Sequence, residues 1–466
     1  MSTRREHDLL GELDIPADAY YGIQTFRSMQ NFHITENRIS DFPDFIVGLA
    51  ATKEAAAKAN YDLDLLEKPL FEAIEKACQE IRVGELIDQF QVDVIQGGAG
   101  TSTNMNANEV IANRALEIMG YKKGEYEYCH PNNHINLSQS TNDAYPTGAR
   151  IGICFSNKKL IEELKKLVSA FRAKAKDLGN NIKMGRTQLQ DAVPITYEQE
   201  FEGYASSLEA EIKHFEEVEE KFHSVNMGAT AIGTGINSDP DYPKKVVEHL
   251  AKITGLNLKL AENLIAATND TTDFVSYSSQ LKRLAVKISK ISNDLRLLSS
   301  GPRAGIYEIR LPAVQPGSSI MPGKVNPVIP EAMNQIAFRV IGNDATITMA
   351  SEAGQLELNV FEPVMIYAIF ESVNILTNGM EMLRSLCVDG IEGNFTRARS
   401  FVYNSIGLVT ALNPVLGYEA SSQIAKQALA ENRSVYDLVL EKDLLTKEEL
   451  DEILEPQNMT RPRKLK

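Results

Sequence analysis

Apolar residues recur at steps of three and four along two stretches of the chain. One stretch carries Phe274, Tyr277, Leu281, Leu284, Ile288, Ile291, Leu295 and Leu298, and the other carries Phe201, Tyr204, Leu208, Ile212, Phe215, Val218 and Phe222. This spacing puts the apolar side chains on one narrow stripe of an α-helix, as in bundles and coiled coils. Helices of ~30 residues would be ~45 Å long. Such rods must pack together, and their length indicates packing between subunits; long exposed helices within a monomer are the alternative.

The helical pattern divides the chain into three predicted domains. Residues 1–139 mix short helical patterns with turns, residues 140–396 carry the long-helix pattern, and residues 397–466 form a smaller helical domain. In the last part, Asn413-Pro414 predicts a break in the chain, whereas Thr446 and Glu449 are spaced as a capping box that opens a short helix. The predicted fold is mainly α, a three-domain subunit with a long central helical bundle.

Length, charge and cysteine content narrow the class of protein. The chain has 466 residues, 43% hydrophobic and 24% charged, which is typical of a folded globular protein. Its formal charge of -15 disfavours binding to nucleic acid or anionic lipid. The four cysteines form no CxxC pair, and no apolar run approaches the ~20 residues of a membrane span. We therefore expect a cytoplasmic protein that binds neither nucleic acid nor membranes.

Four polar segments stand at the ends of the apolar helical patterns, and most are marked by glycine. They are residues 97–106 (GGAGTSTNMN), 138–143 (SQSTND), 185–191 (GRTQLQD) and 317–327 (GSSIMPGKVNP). Hydroxyls, amides and a few cations dominate them, a composition suited to holding a carboxylate by hydrogen-bond donation. Each has a plainer interpretation: a flexible turn at 97–100, a helix N-cap at 140–143, and a surface cation at Arg186.

Other chemistries fit the sequence poorly. The spacing Gly317…Gly323-Lys324 resembles a phosphate-binding loop, but five residues instead of four separate the glycines and Val325 replaces Ser or Thr. The seven histidines show no HExxH or Cys/His ligand spacing, so the sequence predicts no metal site. A GxSxG nucleophile elbow is also absent from the sequence.

The polar segments together resemble the aspartase/fumarase superfamily over essentially the whole chain. Residues 317–327 resemble its signature loop, and further matches are at 21–27, 96–102, 139–143, 185–192 and 299–305. Asn326-Pro327 followed by Val328, together with Gln188 where fumarases have His, are similar to the aspartase branch. Tyr197-Glu198 departs from the usual Leu-Gly and is expected to alter packing near the pocket.

The resemblance implies a homotetramer with a multi-helix core and active sites built from loops of three subunits. It implies reversible elimination of ammonia from L-aspartate to give fumarate, through removal of the C3 proton and an aci-carboxylate intermediate. The same resemblance makes Ser318 the base. Its alkoxide would need loop amides and a nearby cation, and Lys324 is the expected cation.

The remaining polar residues of the four segments are expected to bind substrate. Thr101, Ser140, Thr141 and Asn142 would stabilise the dianion, Lys324 and Asn326 would hold the other carboxylate with Ser319 beside them, and Thr187 and Gln188 would contact the amino end. No organic cofactor is needed, although a divalent metal could act as an activator away from the chemistry. The alternatives are fumarate hydratase, a lyase for a substituted aspartate, and a non-catalytic binding or structural relative.

Overall fold

The computed structural model describes residues 2–462, and within this range the chain is mainly helical, as predicted. The helices are α1 (Ile23–Asn31), α2 (Pro43–Asp62), α3 (Lys68–Arg82), α4 (Thr101–Ile118), α5 (Thr141–Leu178), α6 (Tyr197–Glu219), α7 (Tyr242–Thr254), α8 (Leu264–Asn269), α9 (Thr272–Leu298), α10 (Val328–Glu352), α11 (Glu362–Leu386), α12 (Phe395–Asn404), α13 (Val409–Leu416), α14 (Tyr418–Glu431), α15 (Val435–Glu441), α16 (Lys447–Ile453) and α17 (Pro456–Met459). No helix within this range has the length and apolar character needed to cross a membrane.

Short strands pair two by two. They are β1 (Thr3–Asp8), β2 (Gly11–Pro16), β3 (Ile182–Thr187), β4 (Gln190–Thr196), β5 (Ser224–Val225), β6 (Lys259–Leu260), β7 (Ile309–Arg310) and β8 (Glu392–Gly393). The pairs β1–β2, β3–β4 and β7–β8 are antiparallel, and β5–β6 is parallel. None of these pairs follows from the helical periodicity.

The long helices confirm the main expectation from the sequence. Helix α5 has 38 residues, so it is ~57 Å long, and α9 has 27. All eight apolar residues of the α9 stripe are buried, none more than 6% exposed. The other stripe is buried except for Ile212 and Val218, which are half-buried, and Phe222 lies beyond the end of α6 in a short 3-10 turn.

The chain forms two compact units that do not follow simple sequence segments. Unit 1 consists of the residues up to Ile161, Lys213–Arg283 and Phe338–Leu376, and unit 2 consists of Glu162–Ile212, Leu284–Ala337 and the residues from Thr377 onward. The three sequence domains proposed at 1–139, 140–396 and 397–466 stay a prediction.

The core of unit 1 depends on small residues. Helices α2 and α5 cross where Gly48 meets Gly148, and a Cβ on Gly48 would lie 2.1 Å from the Gly148 carbonyl oxygen. Alanines of α2, including Ala51 and Ala55, pack with Val246 and other apolar residues of α7. Any larger residue at position 48 would separate the two backbones, so close packing here requires glycine.

Unit 2 contains the C-terminal helices and the β3–β4 hairpin. Ile182 and Met184 of β3 pack into a cluster formed by the apolar faces of α12 to α16. The capping box is confirmed, because Thr446 Oγ1 accepts from the Glu449 N–H at 3.2 Å and Glu449 Oε2 accepts from the Thr446 N–H at 2.9 Å.

The predicted break at Asn413-Pro414 is wrong. Helix α13 contains Pro414 and runs to Leu416, where Gly417 leaves the helix with a φ of 79°. Pro414 removes one helical hydrogen bond. Because α13 ends two residues later, at Leu416, the proline disturbs no further turn of the helix. The positive φ at Gly417 is the stronger stop signal.

Candidate functional site

The start of helix α5 is a reciprocal cap that involves Ser140 and Asp143. Ser140 Oγ accepts from the Asn142 N–H at 3.2 Å, and Asp143 Oδ1 accepts from the Ser140 N–H at 2.9 Å. The other Asp143 oxygen accepts from the N–H groups of Gly228 at 3.1 Å and Thr230 at 2.9 Å. Burial raises the pKa of Asp143 to about 6. The N-cap interpretation is therefore correct for this segment, and the cap also fixes the loop at 228–230.

Asn142 and Ser140 face a polar surface beside that loop. The Asn142 side-chain amide donates to the Ala231 carbonyl at 2.7 Å. A cleft of about 460 Å³ lies next to it in unit 1, lined by Asn132, Asn133, Asn136, Leu137, Ser138, Gln139, Ser140, Thr230, Ala231, Ile236 and Asn237. Amides and hydroxyls dominate this lining, so the cleft offers donors without a carboxylate.

A buried lysine supports the hydroxyl of Thr141. Lys53, on α2 and fully buried, donates from Nζ to the side-chain oxygens of Asn104 at 2.7 Å, Gln139 at 3.0 Å and Asn136 at 3.1 Å. The Asn104 amide in turn donates to Thr141 Oγ1 at 3.1 Å. Because that oxygen already accepts a bond, the hydroxyl proton is directed elsewhere and can be donated.

Lys53 was missed from the sequence because it lies in an alanine-rich helical segment that carries no motif. Burial lowers the pKa of Lys53 to about 7, while the charge of Asp143 acts in the opposite direction. Lysines in such surroundings are rarely buried without partners, and here three amide oxygens accept from it.

Thr101 begins helix α4 and has a local partner. Its Oγ1 donates to the Gly98 carbonyl at 2.7 Å, and the residue is exposed. The preceding turn is a defined structure, because Gly98, Ala99 and Gly100 all have positive φ. A Cβ on Gly100 would lie 2.6 Å from the ring of Tyr145, so glycine is required there.

In unit 2, the loop at 317–327 folds around its own backbone. The Gly317 N–H donates to the Lys324 carbonyl at 2.8 Å, and the Asn326 side-chain amide donates to the Gly317 carbonyl at 2.7 Å. A Cβ on Gly317 would lie 2.6 Å from the Lys324 carbonyl oxygen, so only glycine allows this close approach. Asn326 thus has a role in shaping the loop besides its predicted contact with substrate.

The hydroxyl of Ser318 lies over two backbone amides of the loop. Its Oγ accepts from the N–H groups of Met321 at 3.0 Å and Ile320 at 3.2 Å. Ser318 is half-buried, while Ser319 and Lys324 are exposed. Lys324 forms no hydrogen bond or ion pair with its side chain among the described residues, so its charge is available to a ligand.

Thr187 and Gln188 lie at the tip of the β3–β4 hairpin. Thr187 pairs with Gln190, and both residues between them, Gln188 and Leu189, have positive φ of 56° and 61°. These angles define a two-residue turn of the kind that matches strand twist. The segment was expected at the end of a helical pattern, and that expectation was wrong, because alternation in 182–196 places it in a hairpin.

Arg186 does not act as a surface cation. Its guanidinium makes a two-pronged ion pair with Glu308, with both N–O distances at 3.0 Å, and Glu308 is fully buried. Lys183 lies 3.3 Å from the same carboxylate. Tyr197, the departure from the family pattern, donates its hydroxyl to the Glu308 carbonyl at 2.7 Å, so this substitution joins the same buried network.

The ten predicted site residues fall into two groups. Unit 1 holds Thr101, Ser140, Thr141 and Asn142, and unit 2 holds Thr187, Gln188, Ser318, Ser319, Lys324 and Asn326. Within unit 1, Ser140 and Asn142 adjoin the cleft and Thr141 joins the Lys53 network. Within unit 2, the signature loop brings Ser318 and Asn326 together, each tied to the loop backbone.

Known proteins are similar in sequence to this chain over nearly its whole length. A family model described as Lyase matches residues 11–342, and one described as Fumarase C C-terminus matches residues 408–461. Aspartate ammonia-lyases of Pseudomonas aeruginosa and Helicobacter pylori are 56% and 54% identical over 463 residues. These alignments cover 99% of this chain, with 98% of the first relative and 99% of the second.

A solved structure gives the same result for the fold. The fumarate lyase:delta crystallin from Brucella melitensis bound to cobalt is 53% identical, with a TM-score of 0.96 over 99% of this chain and 100% of that one. The chain therefore belongs to the lyase family that includes the aspartate ammonia-lyases.

Proposed function

We propose that the chain catalyses the reversible elimination of ammonia from L-aspartate to give fumarate. The observation that carries this proposal is the Ser318 hydroxyl oxygen, held by two backbone N–H groups on the exposed loop that carries Lys324. The relatives named aspartate ammonia-lyase, at more than half identity over the full length, support L-aspartate as the substrate.

The reaction begins with removal of a proton from C3. That proton passes to Ser318 Oγ, and the C–H electrons move into the neighbouring carboxylate. The electrons then return to form the double bond between C3 and C2 as the C–N bond breaks, and its electron pair leaves on nitrogen as ammonia. The neighbouring carboxylate carries a second negative charge in the intermediate, so donors placed in advance must stabilise it. Thr101, Ser140, Thr141 and Asn142 are our candidates for this task, and the Asn104–Thr141 bond favours donation by Thr141.

The loop amides alone do not make Ser318 a usable base. A hydrogen bond to a charged group contributes ~1.5–3 kcal/mol, so two of them stabilise an alkoxide by ~3–6 kcal/mol. That energy lowers the pKa of the Ser318 hydroxyl by only ~2–4 units, which is far too little to form the alkoxide at neutral pH. We therefore assign the rest of the stabilisation to the charge of Lys324, which also receives the second carboxylate of the substrate together with Asn326.

The leaving group requires no acid from the protein. An ammonium departs as neutral ammonia without gaining a proton, whereas hydroxide leaving from malate benefits from one. Gln188 cannot donate a proton as an acid, so its place in the hairpin suits ammonia loss better than hydration. We propose that Thr187 and Gln188 hold the amino end and that no organic cofactor takes part.

A comparison of substrates tests the proposed reaction. The purified protein is given L-aspartate, L-malate or N-substituted aspartates, and formation of fumarate is followed by its ultraviolet absorbance. We expect turnover with L-aspartate to exceed the others by orders of magnitude. Faster turnover of malate would assign the chain to fumarate hydratase, and absence of any turnover by an assembled protein would indicate a non-catalytic relative.

We also propose that the chain forms a homotetramer with shared active sites. Helix α10 leaves an apolar stripe exposed, with Phe338 63%, Ile341 38% and Met349 72% accessible. These residues recur at helical spacing, and the occupant we propose is the equivalent surface of other subunits. Helices this long and apolar pack readily as a multi-helix core in an assembly.

Subunit mixing tests the shared sites. Inactive Ser318→Ala and inactive Thr141→Ala subunits, mixed and reassembled, should regain part of the wild-type activity. Mixed tetramers verified by tag affinity that stay inactive would contradict the shared arrangement.

We further propose a cytoplasmic location, which the absence of CxxC pairs supports.

A further inference from the structure

Three side chains of metal-binding type converge inside unit 1. Cys154 lies on α5, Glu219 is the last residue of α6, and His223 ends the 3-10 turn Glu220–His223. The thiol sulfur, a carboxylate oxygen and an imidazole nitrogen all lie within 4.8 Å of one another. A tetrahedral zinc ion with ordinary bond lengths holds its ligand atoms ~3–4 Å apart. The group can therefore close on one ion with shifts of about 1 Å.

One nitrogen of the His223 imidazole makes no hydrogen bond within the described part of the chain. Its Nε2 is shielded from solvent and has no hydrogen-bond partner among residues 2–462. The Glu219 carboxylate oxygen lies 3.8 Å away, too far for a hydrogen bond. Buried polar atoms are almost always satisfied, so a nitrogen without a hydrogen bond that lies 3.8 Å from a carboxylate oxygen indicates a missing ligand.

The Glu219 carboxylate is held in place by a second layer of residues. Asn157 donates from Nδ2 to Glu219 Oε2 at 2.5 Å, and the buried Tyr277 hydroxyl donates to Asn157 Oδ1 at 2.9 Å. These bonds occupy one carboxylate oxygen and leave Oε1 on the side of His223. Metal-ligating carboxylates are commonly oriented by such outer hydrogen bonds.

The ligand types and their burial favour a zinc-like ion. A thiolate and an imidazole select borderline-soft cations, whereas magnesium and calcium prefer oxygen alone. Cys154 is 2% exposed, while the side chains of Glu219 and His223 are about one-fifth exposed, so an ion would enter from their side. The positive charge of Arg150 acts on the Cys154 thiol. An ion pair between the Arg150 guanidinium and the Asp273 carboxylate, at 2.9 Å, neutralises that charge.

We propose that Cys154, Glu219 and His223 form a binding site for a divalent transition-metal ion of the zinc type, with water as the fourth ligand. Binding breaks the S–H bond of Cys154, forms a sulfur–metal bond and releases the thiol proton to solvent, without any change of oxidation state. The sequence hides this site because its ligands are far apart along the chain and show no ligand spacing. The proposal is independent of the lyase activity.

Metal titration of the full-length protein tests the site directly. Protein freed of metal by a chelator is titrated with Zn²⁺ against a chromophoric competitor, and then with Co²⁺ while its absorption is recorded. We expect one ion per chain, release of a proton on binding, and a thiolate-to-cobalt charge-transfer band. Cys154→Ser should abolish that band and weaken Zn²⁺ binding at least ~100-fold, and His223→Gln should weaken it similarly.

Two matched variants control for general effects of removing a thiol or an imidazole. Cys387→Ser removes another buried cysteine and His214→Gln removes a histidine of α6, and neither residue belongs to the three-ligand group. Both should keep wild-type affinity. A protein that binds no stoichiometric Zn²⁺, or that binds it equally well in Cys154→Ser and His223→Gln, would overturn the proposal. If thermal melting shows Cys154→Ser to be unfolded, the partly exposed His223→Gln decides the question.

Discussion

Replacing Ser318 by alanine removes one oxygen atom and leaves the loop that carries it. Two bonds that fold the loop do not involve the serine hydroxyl: the Gly317 N–H donates to the Lys324 carbonyl, and the Asn326 amide donates to the Gly317 carbonyl. The two amides that lose their acceptor belong to the exposed residues Ile320 and Met321, where water can replace it. We therefore expect a change of no more than ~0.5 kcal/mol in the free energy of unfolding.

The same substitution should have a large effect on turnover. A positioned base contributes ~10²–10⁴-fold to proton transfer, so kcat for L-aspartate should fall by at least ~10²-fold. The Michaelis constant should change little, because the donors assigned to substrate binding remain. Initial rates from fumarate absorbance, together with melting curves by circular dichroism, measure the two effects separately.

A loop variant distinguishes loss of the base from disturbance of the loop. Met321→Ala keeps the backbone N–H that donates to Ser318 and removes only an exposed side chain. It should retain kcat within about tenfold, a cost of ~1.4 kcal/mol or less. If Ser318→Ala kept near-normal turnover, or if Met321→Ala lost as much as Ser318→Ala, the assignment of the base would be refuted.

Three further predictions concern stability, assembly and substrate positioning. Burial raises the pKa of Glu362 to about 8, so the stabilising contribution of this side chain is full below pH 4.5 and is lost as the pH rises through 8. The melting temperature of the wild type should therefore fall relative to that of Glu362→Gln between pH 6 and 9. Parallel melting curves for the two proteins would contradict this. Phe338→Asp should dissociate the proposed tetramer in light-scattering measurements, whereas Lys244→Asp, at an exposed position of α7, should not. Asn104→Ala should lower kcat/KM about tenfold, the loss of ~1.4 kcal/mol expected for one hydrogen bond, and unchanged kcat/KM would remove Thr141 from the proposed donors.

Periodicity was sufficient to predict two of the long helices, α6 and α9. The Phe274–Leu298 stripe is wholly buried, because apolar residues spaced three and four positions apart lie on one face of a helix. The capping box at Thr446 was equally local, since its two hydrogen bonds join residues three positions apart. Pro414 misled because a proline weakens a helix without always ending it.

The candidate site was predictable only where its residues lie in one segment. Ser318 and Asn326 share a loop whose glycines mark it in the sequence, whereas Lys53 supports Thr141 from a distant helix. The buried carboxylate of Glu308, which holds Arg186, is likewise remote in sequence. Such pairs depend on how distant segments of the chain pack together, and no local spacing encodes them.

The signature loop separates the atoms that hold its shape from the side chains that face outward. Backbone groups, glycine and one asparagine amide maintain the fold around Ser318. The side chains of Ile320, Met321 and Val325 are exposed and make none of these contacts. Mutations at these three positions can therefore accumulate without displacing the serine. The loop offers a starting point for directed evolution, in which its exposed side chains are varied while Ser318, the proposed base, stays where it is.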